Sequence, residues 1–250
     1  MSGHSKWSTI KRKKGAADAK RGQIFTKLSR EIEAAARQGD PDPEMNFRLR
    51  LAVQKARDNN MPVENIERSI KRATGDSGAA QLVEAAYEGY GPGGTAILLE
   101  ALTDNKNRTT AEVRNVFDRG NGSLGESGCV TWIFESKGVI TVSAGGDTEE
   151  LALNAIDAGA EDVKDDEGAL EIQTSPEDLE KVRKALEEQG VEIASSELTM
   201  MPSNLVMLDE KAAIQALKLM DRLEEIDDVQ RVFTNADFPD EALEKYRGQE

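Results

Sequence analysis

Residues 139–199 read VITVSAGGDTEELALNAIDAGAEDVKDDEGALEIQTSPEDLEKVRKALEEQGVEIASSELT. Val139 to Val142 form a β-branched run, which predicts a strand over 139–143. Leu151 to Ala158 have helical spacing. Short strands near 161–164 and 169–174 meet at a turn over Asp165 to Gly168. Ser175 and Asp178 stand at capping spacing before a helix whose apolar side is Leu179, Val182 and Leu186. Gly190 ends that helix, and 191–199 reads as a closing strand. The order is βαββαβ, the split-βαβ ferredoxin-like arrangement.

Outward from this stretch, half of a second unit follows Pro202. Strand 204–208, helix 210–226 and strand 229–234 are predicted there. The matching half stands earlier, as strand 96–102, helix 109–119 and strand 129–134. Thr109 and Glu112 have capping-box spacing in that helix, Val113, Val116 and Phe117 supply its apolar side, and Gly120 ends it. Lys137-Gly138 separates the strand ending at Phe134 from the one beginning at Val139. Two organisations fit the pattern: a middle α/β domain over 79–136 and 203–250 interrupted by a domain over 137–202, or three consecutive small domains. Residues 24–78 precede both as three amphipathic helices. Ile24, Leu28, Ile32 and Ala35 mark the first, which Gly39 ends. Leu49, Ala52, Val53 and Ala56 mark the second, with Asn46 as its cap. Ile66, Ile70 and Ala73 mark the third, closed by Gly75. The fold class is α+β, with the DSGAA segment after Gly75 as a boundary.

Charge divides the chain. Of 250 residues, 32 are basic and 47 acidic, a net charge of −15. Residues 1–75 nevertheless carry +8, and residues 76–250 carry −23. A basic head on an acidic body points to polyanion binding by one end. Residues 1–23 lack apolar periodicity and read as a basic arm ordered by a partner. One cysteine, Cys129, excludes an internal disulfide, and one histidine, His4, makes a histidine-based triad or zinc site untenable. No apolar run approaches the ~18 residues of a membrane span. The start has no apolar signal core, so the expected location is cytoplasmic.

In the head, Lys6, Lys11, Arg12, Lys13, Lys14, Lys20 and Arg21 are candidate phosphate contacts, joined by Lys27, Arg30 and Arg37 on one face of the first helix. Trp7 is either a base-stacking residue or a lid on the helices behind it. The second and third helices with their NNMP turn have the outline of a helix-turn-helix, which would put Glu64, Asn65, Arg68, Lys71 and Arg72 on a recognition helix. The plainer alternative is a core-forming hairpin. YEGYGPGG at 87–94 lacks the Gly-Lys-Ser/Thr ending of a phosphate-binding loop and reads as a tight turn with glycine at positive φ, flanked by Tyr87 and Tyr90. Gly120-x-Gly122-x-x-Gly125 has dinucleotide spacing but follows a helix, so that function is rejected. Asn105, Lys106 and Arg108 stand at a loop–helix junction, where an anion is favoured, and with the rings of Tyr87 and Tyr90 they make a candidate second nucleic-acid contact; turn and capping chemistry explains the junction equally well. Acidic runs such as Asp165-Asp166-Glu167 lack metal-ligand spacing and read as solvated surface. No nucleophile–base pair, cofactor loop or metal cluster stands out, so the expectation is a non-enzymatic protein without cofactors.

GHSKW at 3–7, DAKRG at 18–22, FTKLSREI at 25–32, NNMP at 59–62, YEGYGPGG at 87–94 and DNKNRTTAEVR at 104–114 together resemble the YebC family of bacterial proteins and their mitochondrial relatives. The resemblance covers essentially the whole chain. Gly39-Asp40-Pro41 represents the family's glycine-rich loop, and Phe47 stands where many members have proline. The resemblance implies a helical N-terminal domain and two α/β domains, the third inserted into the second. It also implies a DNA-binding transcriptional regulator or, as for the mitochondrial relatives and for members linked to ribosomes stalled at proline-rich stretches, a translation factor. His4, Lys6 and Trp7 of the GHSKW block join the nucleic-acid-binding candidates. The expected partners are DNA or ribosomal RNA on the ribosome, with basic proteins as partners of the acidic body and no membrane.

Overall fold

The computed structural model describes residues 18–75, 82–143, 148–166 and 169–248. The basic arm up to Ala17, with His4, Lys6, Trp7 and Lys11 to Lys14, lies outside the described residues, as do the side chain of Lys20 and the DSGAA segment. The chain forms two compact units: Phe134–Met201 is one, and the chain up to Ile133 and from Pro202 onward is the other.

The larger unit begins with α1 (Asp18–Gln38), α2 (Phe47–Asp58) and α3 (Val63–Thr74). α1 starts at Asp18 rather than Ile24. Its first turns have no apolar periodicity, yet Ala19, Lys20, Arg21 and Gln23 are good helix formers. Leu28, Ile32, Ala35, Leu49, Ala52, Ala56 and Ile66 pack into one core. Asn46 joins two helix ends. Its Oδ1 accepts from Leu49 N at 3.0 Å, capping α2. Its Nδ2 donates to Ala35 O at 2.9 Å, an orphan carbonyl in the last turn of α1, and to Asp40 O at 2.8 Å just beyond that helix. Asn60 adopts φ 58° after α2, and Met61 N then donates to Ala56 O at 2.9 Å, turning the chain sharply into α3.

The same unit continues with β1 (Val83–Tyr90), β2 (Ala96–Thr103), α4 (Lys106–Arg119) and β3 (Ser123–Leu124). β1 and β2 form an antiparallel hairpin in register from Val83↔Thr103 to Tyr90↔Ala96. The YEGYGPGG turn closes it: Gly93 and Gly94 have φ 72° and 76°, and a Cβ on Gly93 would stand 2.4 Å from Leu208 Cδ2. β2 is buried on both faces, as its apolar residues require, with Glu100 alone half-buried.

Two expectations fail here. Cys129 to Phe134 is not a strand: Thr131–Ile133 is a 3-10 turn. The amides a strand would give to a neighbour are taken by the buried Glu88 carboxylate, which accepts from Gly128 N at 2.7 Å and from Val130 N and Thr131 N at 2.8 Å. Thr109 is not a cap either. α4 starts at Lys106 with Asn105 as its cap, accepting from Arg108 N at 3.1 Å, and Thr109 is buried within the helix.

The glycines of GNGSLG serve packing. A Cβ on Gly122 would stand 2.7 Å from Tyr90 O, and one on Gly125 2.5 Å from Cys129 Sγ. They let the segment after α4 press onto β1.

After the smaller unit the chain returns with β8 (Val206–Met207), α7 (Glu210–Glu224), β9 (Val229–Thr234), β10 (Ala236–Asp237) and α8 (Asp240–Arg247). The sheet order is β3-β1-β2-β9. The predicted strand 204–208 shrinks to β8, which pairs in parallel with β10 in a separate two-stranded sheet. The place beside β2 is already held by β1. α4 and α7 supply Val113, Phe117, Leu217 and Met220 to the core beneath Ile97 and Leu99. α8, unforeseen in the sequence, adds Ala242, Leu243 and Tyr246 to it, and the Tyr246 hydroxyl donates to Asp221.

The smaller unit comprises β4 (Phe134–Ser143), α5 (Thr148–Ala158), β5 (Asp162–Asp166), β6 (Ala169–Thr174), α6 (Leu179–Glu188) and β7 (Ile193–Pro202). Its sheet order, β5-β6-β4-β7, is the ferredoxin-like one. Lys137-Gly138 does not break β4. Gly138 is needed because a Cβ there would stand 2.3 Å from Thr174 Oγ1 on the paired strand.

Candidate nucleic-acid interface

α1 presents one face to its own helical core and another, polar face to the sheet of the same unit. Lys27 Nζ donates to Glu224 O at 2.5 Å. Arg30 Nη1 reaches Asp227 O and Asp228 Oδ1, each at 2.7 Å. Glu31 accepts from Lys55 and Arg231, each at 2.9 Å. Gln38 donates to Glu84 at 3.2 Å, and Arg48 of α2 pairs with the same carboxylate. Positions 27, 30, 31 and 38 fall on one helix face. This is a docking seam, so Lys27 and Arg30 hold the helices to the sheet rather than standing open to phosphate.

Asp228 is the hub of that seam, 3% exposed. Besides Arg30 it accepts from Arg108 Nη2 at 2.6 Å, Thr109 Oγ1 at 2.7 Å and Thr103 Oγ1 at 3.2 Å. Burial pushes its carboxyl pKa up, but the hydrogen bonds from Arg108 and Thr109 and the charge of Arg30 outweigh that and hold it below the usual range. Glu31 behaves likewise. Burial raises its pKa, and Lys55 and Arg231 bring it down to about 2.

Most residues of the expected second contact are hydrogen-bonded within the protein, while Tyr90, Asn105, Lys106 and Arg108 remain exposed. Asn105 is a cap, and Arg108 is shared between Asp104 and Asp228. Tyr87 Oη donates to Lys106 O at 3.4 Å. Tyr90 Oη donates to Cys129 O at 3.1 Å. Of these residues, Lys106 presents an exposed charge with no partner among the described residues. Two carboxylates already stand at this helix start.

Further cations of the head lie along α1 and α3. α1 and α3 border a shallow groove of ≈ 210 Å³ lined by Phe25, Thr26, Ser29, Asn65, Arg68 and Arg72, among others. Arg68 is exposed and has no partner among the described residues. Arg72 pairs with Glu33 at 2.7 Å, and Lys71 lies 4.0 Å from Glu67. Arg37 is half-buried and unpaired among the described residues, while Arg21 is exposed. Glu64 and Glu67 share the exposed surface of α3 with Arg68 and Lys71. A helix so charged carries two carboxylates into any groove it enters.

Glu31, Glu88, Asp228 and Trp132 were not singled out in the sequence. Glu88 lies inside a quoted motif, at one of the two buried positions of a largely exposed or half-buried β1, and its local pattern does not mark it. Among the described residues no helix is long and apolar enough to cross a membrane.

Family comparisons agree along the chain. Residues 5–76 match the model described as the TACO1/YebC protein N-terminal domain, and residues 82–236 match the TACO1/YebC second and third domain. A "probable transcriptional regulatory protein" of Dehalococcoides mccartyi (strain CBDB1) is 61% identical over 250 residues, 100% of both chains. One of the same name from Natranaerobius thermophilus is 53% identical, covering 98% of this chain and 99% of the relative. The crystal structure of a conserved hypothetical protein from Aquifex aeolicus superposes with TM-score 0.82 at 49% identity, covering 89% of this chain and 92% of that one. The α+β fold, the motif blocks and the matches over both halves place this chain in the TACO1/YebC family.

Proposed function

We propose that this protein is a nucleic-acid-binding regulator of gene expression that works by binding and not by catalysis, gripping phosphates with its basic N-terminal region. The observation that carries this is the charge division: +8 over residues 1–75 against −23 over the rest. The regulatory names of its relatives support the regulator half of the reading. The acidic remainder repels polyanions and so directs them to the head. Within the head, +5 of the +8 lies in residues 1–17. Much of what remains is internally paired, which makes Lys11, Arg12, Lys13 and Lys14 the main electrostatic contact, extended by Arg68 and Lys71.

The target is duplex DNA or structured RNA on the ribosome. One observation favours RNA: Glu64 and Glu67 accompany Arg68 and Lys71 on α3, which suits a major groove poorly. The test is a competition at ~150 mM salt between ribosomes and a random genomic duplex pool. A variant with residues 11–14 changed to glutamate is the control. Ribosome association that the control loses supports a translation factor. Enrichment of particular duplexes supports a transcriptional regulator. Equal binding by the control in both arms overturns the proposal.

A further inference from the structure

Trp132 is 73% exposed, and Tyr90 is 41% exposed. One exposed aromatic is ordinary on a surface; two tethered to the same carbonyl form a local patch. Both rings are nonetheless held. Trp132 Nε1 donates to Cys129 O at 3.1 Å, and Tyr90 Oη donates to the same oxygen at 3.1 Å. The two polar ring ends are therefore within two hydrogen-bond lengths of each other. The loop that carries Trp132 is anchored from below by three amides on Glu88, and Ser203 N and Oγ clasp Ile133 O at 2.8 and 2.9 Å. An aromatic shelf this firmly built does not relax inward to hide its faces.

The field around the shelf is negative. Glu88 lies directly beneath it, and Cys129 N donates to Glu126 O at 3.2 Å, placing a second carboxylate-bearing residue at the loop. The Cys129 thiol registers this: burial pushes its pKa up, and Glu88 and Glu126 push it further. Residues 76–133 and 202–250, which belong to the same unit as the shelf, carry −10. A nucleobase would bring its phosphate into that field. A guanidinium or ammonium gains from it and from the ring quadrupoles, tryptophan being the strongest cation–π acceptor.

We propose that the Trp132–Tyr90 shelf is a docking point for an arginine or lysine side chain of a basic protein partner, separate from the nucleic-acid-binding head. Trp132 and Tyr90 supply the faces, Glu88 holds the geometry, and the acidic surroundings supply the attraction.

The test uses the full chain and an arginine–glycine decapeptide at ~150 mM salt. In a Trp7→Phe background Trp132 is the sole indole, since the chain has 2 tryptophans. Its fluorescence should change saturably with the peptide. Affinity read from the anisotropy of labelled peptide should fall about tenfold in Trp132→Ala and stay near wild type in Trp132→Phe. Circular dichroism checks that each variant is folded. Equal affinity in folded Trp132→Ala would reduce the interaction to diffuse charge and overturn the proposal. A saturable Trp132 response to oligouridylate but none to the peptide would overturn it in favour of a base platform.

Discussion

Asp228 shows how a single carboxylate decides which basic residues are open to a ligand. It is nearly inaccessible, yet charged, because two guanidiniums and two hydroxyls meet it. Asp228→Ala leaves Arg30, Arg108 and the Thr103 and Thr109 hydroxyls without their shared partner and should cost about 1–3 kcal/mol in urea unfolding. Arg30→Ala should destabilise too, yet leave the affinity of the folded protein for nucleic acid unchanged. Arg68→Glu should do the reverse: stability within about 0.5 kcal/mol of wild type, with affinity weakened evenly across sequences. Glu31 gives a pH signature. Its folded pKa, about 2, lies below the ordinary 4.5. Its contribution is therefore fully present above pH 4.5 and is lost as pH falls through the folded value. Acid titration of stability should show that loss between about pH 4.5 and 2, and Glu31→Gln should flatten it.

At the scale of elements, the helical head depends on how its short helices are ended. Asn46 caps α2 and binds a last-turn carbonyl of α1, so Asn46→Ala should lower stability by about 1–2 kcal/mol, read as a fall in Tm. Asn46 was legible as a cap because the chain around it carries local signals. The smaller unit was legible for the same reason: β-branched strands and capped helices alternate there in sequence order. Cys129–Phe134 was not. Its composition is that of a buried strand, but its amides are claimed by Glu88, 42 residues away from Val130, and local pattern contains no trace of such a partner. α8 escaped because the core it covers is completed by distant strands. Strand 204–208 was overestimated because nothing local reveals that the β1 hairpin already flanks β2. Glu88→Gln should free the 128–131 amides in part, costing about 1–3 kcal/mol, and should raise Trp132 mobility in fluorescence anisotropy.

For the whole molecule, the charge division was plain from the sequence, but the distribution of duties within the head was not. Lys27, Arg30 and Arg108 look like phosphate ligands by residue type, and the folded chain uses them to hold helices to the sheet. The positive charge left for a ligand includes the arm, by its sequence, and Arg68, Lys71 and Arg37. This makes the electrostatic grip separable from the fold. The most direct measurement is the salt dependence of nucleic-acid affinity for the full chain and for a chain lacking residues 1–17. Loss of five cations should make the slope of log K against log salt shallower by about 4.5 on duplex DNA, or about 3.5 on single strands, at unchanged Tm. An unchanged slope would contradict the claim that the basic N-terminal region carries the binding.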